Sequence, residues 1–127
     1  MKPYWKIAAW MLVVLILSAI PGSSLHKMEL PFYKKIYLDK IIHACIYCVL
    51  CILLIMAMRN KQIKLPVVWA LVIAIIYGGL MELAQKYIFT GRSAEWLDFG
   101  ANTFGALAGA FIKRKPVKKD DKKNTAP

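Results

Sequence analysis

Three short polar patterns interrupt an otherwise apolar sequence: Asp39-Lys40-x-x-His43-x-x-x-Tyr47, Glu82-x-x-Gln85, and Arg92 followed by Asp98 and Asn102. Their residue types suit proton transfer and the holding of an anion. Histidine titrates closest to neutral pH of all the side chains, so His43 is the natural proton carrier, and Asp39, one helical turn earlier, is placed to orient its ring. Glu82 can share the proton work, and Asp98 adds a third carboxylate. Lys40 and Arg92 offer cationic contacts to a phosphate or carboxylate, while Gln85 and Asn102 offer neutral hydrogen bonds. We therefore read His43, Glu82, Asp39 and Asp98 as candidate catalytic residues and Lys40, Gln85, Arg92 and Asn102 as candidate ligand-binding residues. The set suits an anionic lipid head group or a lipid-linked cell-wall intermediate. Catalysis and plain binding both fit it.

No cofactor is expected from these patterns. A divalent metal is the alternative, because Asp39 and His43 at i, i+4, with Glu82 and Asp98, would supply hard and borderline ligands. The sequence has no HExxH and no paired Cys/His spacing to strengthen that alternative. Cys45-x-x-Cys48-x-x-Cys51 resembles a redox or metal motif only until it is placed on a helix. There the three thiols fall on an apolar side and pack as small hydrophobes. His26 reads as a solvated loop residue.

The elements that must position these residues are long and apolar. Of 127 residues, 59% are hydrophobic, gathered in four blocks rather than in the short alternations of a soluble core. A bilayer core about 30 Å thick takes about 20 helical residues to cross. The blocks, at about 4–20, 39–58, 66–88 and 94–112, match that length and predict an all-α, four-helix transmembrane bundle occupying residues 1–112. Residues 113–127 form a basic tail with little to bury, which predicts disorder. The connection Pro21–Leu38 is the longest, and its Leu25, Leu30, Phe32, Tyr33 and Tyr37 suggest a loop lying on the outer surface as a candidate lid.

A net charge of +11 raises nucleic acid as a partner class. The lysines and arginines, however, are confined to loops and the tail and are not interleaved with stacking aromatics. We read them as topology signals and contacts to anionic lipids, not as a nucleic-acid surface. Lys2, Lys6, Arg59, Lys61, Lys64, Lys113, Arg114, Lys115, Lys118, Lys119, Lys122 and Lys123 fall on one side of the membrane, and Lys27, Lys34, Lys35, Lys40, Lys86 and Arg92 on the other. Because basic loops are retained in the cytoplasm, twelve against six predicts N-in/C-in topology, and the tail carries most of that margin. The first block has some features of a signal peptide. The Pro21-Gly22 break, the lack of an A-x-A site, and the interfacial character of Tyr4, Trp5 and Trp10 favour an uncleaved membrane anchor.

On these helices the polar residues share one depth. At about 1.5 Å rise per residue, His43 lies about 6 Å inside its helix, Glu82 about 9 Å from the end of its own, and Asp98 about 6 Å inside the fourth. Residues three or four apart share a helical face, so Asp39, His43 and Tyr47 form one stripe, Glu82 and Gln85 a second, and Asp98 and Asn102 a third. An ionised side chain at the centre of a membrane helix costs about 2.5–3.5 kcal/mol, which turns Glu82 and Asp98 towards the bundle and makes them functional candidates. The competing reading is a structural clamp, with Arg92 paired to Glu82 or Asp98. Ala101, Gly105 and Gly109, with Gly78 and Gly79, predict close helix packing.

The ordered set D-K-x-x-H at 39–43, E-x-x-Q at 82–85 and R-x5-D-x3-N-x2-G at 92–105 resembles the VanZ-like family of small bacterial membrane proteins over about residues 18–110. Ser18-x-x-Pro21 is similar to that family's opening pattern. The resemblance implies a cell-envelope role, with a link to resistance to the glycopeptide teicoplanin through the member that names the family. It implies no settled biochemical mechanism. Two other readings stay open at this point: a small transporter or channel, which needs a homo-oligomer because polar residues stop about one turn below Asp98, and a non-catalytic structural or partner protein.

Overall fold

A computed structural model describes residues 4–19, 32–88 and 96–115, with the backbone alone for 32–37. Four helices account for nearly all of them: α1 Tyr4–Ala19, α2 Phe32–Asn60, α3 Pro66–Tyr87 and α4 Trp96–Lys113. No strand occurs among the described residues. Two stretches, Leu38–Asn60 of α2 and Pro66–Tyr87 of α3, are long and apolar enough to cross a membrane. The flanking helices α1 and α4 are shorter, at 16 and 18 residues.

Helix α2 differs from the expectation at its start. Hydropathy placed its first residue near Asp39, yet it begins at Phe32, so the last seven residues of the expected loop, Phe32–Leu38, are helical. Apolarity marks where a helix enters lipid rather than where its backbone becomes helical. Pro31 is the last proline before Pro66, and the intervening Lys34, Lys35 and Leu38 are good helix formers. The rest of the proposed lid, the end of the first block, the start of the fourth, and the tail from Pro116 lie outside the described residues.

Helix α2 is central and touches the other three. Its tightest neighbour is α4, and glycines are the reason. A Cβ on Gly105 would overlap the carbonyl of Ala44, and one on Gly109 would stand 2.5 Å from the Cys48 carbonyl oxygen. Only a bare backbone fits at these two points. On α3 the buried face runs Ala70, Ala74, Gly78, Glu82 and Gln85, and on α4 it runs Asp98, Asn102, Gly105, Ala106, Gly109 and Ala110. Each stripe of small residues therefore leads, towards the same end of the bundle, into polar ones. In lipid the hydrophobic effect does not drive helices together, and small residues that admit close van der Waals packing take over that role.

Side-chain donors secure α1. Trp10 Nε1 donates to the Ile46 carbonyl at 3.0 Å, the Tyr77 hydroxyl to the Met11 carbonyl at 2.8 Å, and Gln85 Nε2 to the Ser18 carbonyl at 3.4 Å. Trp10 is thus an interhelical donor, its indole N–H finding a carbonyl within the bundle. The thiols also differ from one another: Cys51 is buried in the core, Cys48 half-buried and Cys45 exposed. A step of three residues falls short of a full turn, so the face rotates along the helix.

The end opposite the polar stripes is basic. Arg59 donates through Nη2 to the Lys113 carbonyl and through Nη1 to the Lys115 carbonyl at 3.3 Å, which satisfies the open carbonyls where α4 finishes. Lys61 Nζ lies 5.6 Å from the centre of the Tyr4 ring. The starts of α1 and α3 and the ends of α2 and α4 therefore meet at one end.

Candidate functional site

At the other end α2, α3 and α4 bring their polar residues together. Asp39, Lys40 and His43 come from α2, Glu82 and Gln85 from α3, and Asp98 and Asn102 from α4. Arg92 lies outside the described residues. Asp98 sits in the first turn of α4, where a carboxylate is favoured by the positive end of the helix dipole.

The contacts form two connected sets. Lys40 Nζ donates to Asp98 Oδ1 and lies 3.9 Å from Asp39 Oδ2, so one ammonium serves two carboxylates on different helices. The second set runs through the imidazole. His43 Nδ1 is 2.8 Å from Asn102 Oδ1, and Asn102 Nδ2 donates to Glu82 Oε1 at 3.4 Å. On the far side of the ring, His43 Nε2 is 3.7 Å from Asp39 Oδ1. The path from Asp39 through His43 and Asn102 to Glu82 thus links all three helices.

Burial is graded along this path. The Asp39 side chain is 26% exposed, that of His43 11% and that of Asp98 7%, while Asn102, Glu82 and Gln85 are buried. Asp39 forms the entrance and Glu82 the interior. Gly78 makes room for the deepest part, since a Cβ there would stand 3.3 Å from the Tyr47 ring and 3.4 Å from Asn102 Cβ. The Tyr47 ring is buried one turn below His43 and lies 6.4 Å from that of Tyr77, centre to centre. Its hydroxyl has no hydrogen-bond partner among the described residues.

An apolar groove of about 480 Å³ adjoins this network on the outer side of α3 and α4. Gly79, Leu80, Leu83, Trp96 and Phe99 contribute to its walls, with Glu82 and Lys86 as its charged members. Glu82 therefore belongs to both features, as partner of Asn102 and as a wall of the groove. The sequence reading missed the groove. Its signal was the absence of bulk at Gly79, whose open face meets the Phe99 ring.

Chemically, the cluster can hold a proton on an imidazole between an amide and a carboxylate, and it can hold a cation between Asp39 and Asp98. Lys40 is engaged within the protein by those same carboxylates.

The fold and site define an all-α bundle packed through small residues beneath a buried polar cluster, with two helices long and apolar enough to cross a membrane. The sequence profile of the VanZ/LLP1 family matches residues 4–114, and the chain belongs to that family. No curated protein and no solved structure matches it.

Proposed function

We propose that this VanZ-like protein spans the bacterial cytoplasmic membrane four times with both termini inside, and that its outer-face cluster binds an anionic, lipid-linked molecule of the cell envelope. The observation that carries this reading is the double membership of Glu82. A polar network and an apolar groove that share one side chain suit an amphiphile, with its hydrocarbon chain along Leu80, Leu83 and Phe99 and its head group towards Asp39, Lys40 and His43. The groove volume falls within the roughly 300–1,000 Å³ of small-molecule sites. Lys86 at its edge, followed by Arg92 in the next connection, supplies cations for a phosphate. The carboxylates of Asp39 and Asp98 suit donors such as sugar hydroxyls or amines on the same head group.

The orientation follows from the basic end formed by Arg59, Lys61, Lys64, Lys113, Arg114 and Lys115, which the positive-inside rule assigns to the cytoplasm. That choice puts the cluster at the outer leaflet. A link to teicoplanin susceptibility belongs to the same reading: a protein that binds or modifies a surface lipid changes what a glycopeptide meets there.

The test is native mass spectrometry of the full chain in mild detergent. We expect a co-purifying phospholipid or lipid-linked saccharide on the wild type, reduced by Leu83→Trp in the groove and by a His43→Ala, Glu82→Ala double variant in the cluster. Bare spectra for a folded wild type would overturn the proposal. Transport is disfavoured because the described buried polar residues stop at one end, above a core of Leu50, Leu54, Ile55, Ala70 and Ala74.

A further inference from the structure

We propose that Asp39, His43 and Asp98 bind one divalent transition-metal ion, and that Lys40 is the built-in cation which the metal displaces. This rests on the reading of the outer cluster as a ligand site and adds an inorganic partner to it.

Glu82 fixes the orientation of the Asn102 amide, and through it that of His43. A carboxylate oxygen accepts, so the side of the Asn102 amide facing Glu82 Oε1 at 3.4 Å is its NH2 group. Its oxygen then faces His43 Nδ1 at 2.8 Å, and an amide oxygen can only accept, so the imidazole proton sits on Nδ1. A neutral ring with its proton on Nδ1 carries a lone pair on Nε2. That lone pair faces another acceptor, Asp39 Oδ1, at 3.7 Å.

In this neutral form the two acceptors do not bond each other, and 3.7 Å lies beyond hydrogen-bond distance. They are well placed to share a cation. With metal–nitrogen and metal–oxygen bonds of about 2.0–2.2 Å, two ligands on one ion stand roughly 3–4 Å apart. The third donor, an Asp98 oxygen, comes from the facing helix, and the donor atoms of all three residues lie within 4.8 Å of one another. A ligating histidine ordinarily gives its other N–H to a carbonyl or carboxylate, which fixes the ring. Asn102 does this for His43.

One imidazole and two carboxylates form a borderline-to-hard donor set, suited to manganese or zinc. Lys40 Nζ, in contact with Asp98 and 3.9 Å from Asp39 Oδ2, holds the place between the two carboxylates. Its flexible four-carbon stem lets it leave. Three protein ligands leave coordination positions open, so a bound ion with a released ammonium would turn a carboxylate-rich cluster into a receptor for phosphate oxygens.

The test uses the full-length protein in detergent, stripped with a chelator and titrated with Mn2+ alone, with free Mn2+ followed by electron paramagnetic resonance. Manganese avoids the three cysteines, whose thiolates favour softer ions. One saturable Mn2+ per chain is expected, at least tenfold weaker in His43→Gln and Asp98→Asn and tighter in Lys40→Gln. The opposite sign of the lysine variant separates a metal site from general loss of structure, and it decides the matter even where Asp98→Asn fails to fold. No saturable binding in wild type and Lys40→Gln would overturn the proposal, as would binding undiminished in His43→Gln or not tightened in Lys40→Gln. Lipid retention by the chelator-stripped protein, compared with Leu83→Trp, is scored separately. Retained lipid without Mn2+ binding refutes the metal alone, and Mn2+ binding without lipid refutes the amphiphile reading alone.

Discussion

Gly105 of α4 lies so close to the carbonyl of Ala44 on α2 that a Cβ at position 105 would occupy the space of that carbonyl. The obstacle is backbone, which cannot rotate away as a side chain can, so the helices must separate to admit even a methyl group. Overpacking a well-filled interior typically costs about 1–3 kcal/mol, and Gly105→Ala should reach or exceed the upper end. Gly100, five residues earlier on the same helix, has open space where its Cβ would be. Gly100→Ala should therefore be neutral or slightly stabilising, through the better helix propensity of alanine. Thermal unfolding in detergent compares the pair; equal melting temperatures for the two variants would refute close α2–α4 packing as the organising contact.

That contact also shows what was legible beforehand. The four-residue recurrence of Ala101, Gly105 and Gly109 marks a packing face in the sequence, and the hydropathy edges bring His43, Glu82 and Asp98 to one level, although α2 itself starts at Phe32 and His43 lies eleven residues inside it. Which helix meets the glycines is a matter of three-dimensional arrangement that spacing does not contain. The same holds for the carbonyl acceptors of Ser18, Met11 and Ile46, since a backbone oxygen leaves no trace in residue type. The groove was hidden for a further reason. Leu80, Leu83 and Phe99 look like any lipid-facing residues until α3 and α4 are set side by side.

Asn102 is the residue on which the cluster's internal order depends. Its amide is matched at both ends, accepting from His43 and donating to Glu82, and it is buried. Removing it leaves two buried polar partners to find new ones, at about 1–3 kcal/mol for each unsatisfied group. Asn102→Leu should lower stability by roughly 2–6 kcal/mol on that basis. Asn102→Asp, which keeps the acceptor towards His43 but sets a second carboxylate against Glu82, should also destabilise the fold, less so when combined with Glu82→Gln. A double-mutant cycle on positions 82 and 102 measures this, and additivity of the two changes would show that the bond is not coupled.

The connection between α2 and α3 turns through two left-handed residues, Gln62 at φ 55° and Leu65 at φ 56°. Gln62 N–H closes on the Arg59 carbonyl at 2.9 Å and Ile63 N–H on the Met58 carbonyl at 3.0 Å, a helix ending that ordinarily uses glycine. A side chain in this conformation costs on the order of 1 kcal/mol. Gln62→Gly should raise stability by about 0.5–1 kcal/mol after allowing for the greater freedom of glycine in the unfolded chain. Leu65→Gly offers less, because Leu65 precedes Pro66 and the substitution also loosens a proline-restricted residue. A lower melting temperature for Gln62→Gly would rule out strain at this turn.

Tyr47 separates a structural role for the cluster from a ligand-binding one. Its ring fills space between Gly78 and Tyr77, which phenylalanine would fill equally well, while its buried hydroxyl has no partner among the described residues. Burying an unsatisfied hydroxyl costs about 1–3 kcal/mol, so in the protein alone Tyr47→Phe should be neutral or should raise the melting temperature. If the hydroxyl serves a bound head group or the water beside it, the same change should weaken lipid retention in native mass spectra while leaving the fold intact. Stability and binding then move in opposite directions, which a clamp does not allow: a residue that only holds helices together loses both or neither. A stabilised Tyr47→Phe protein with undiminished lipid would place the ligand above His43 and leave the hydroxyl as a packing remnant.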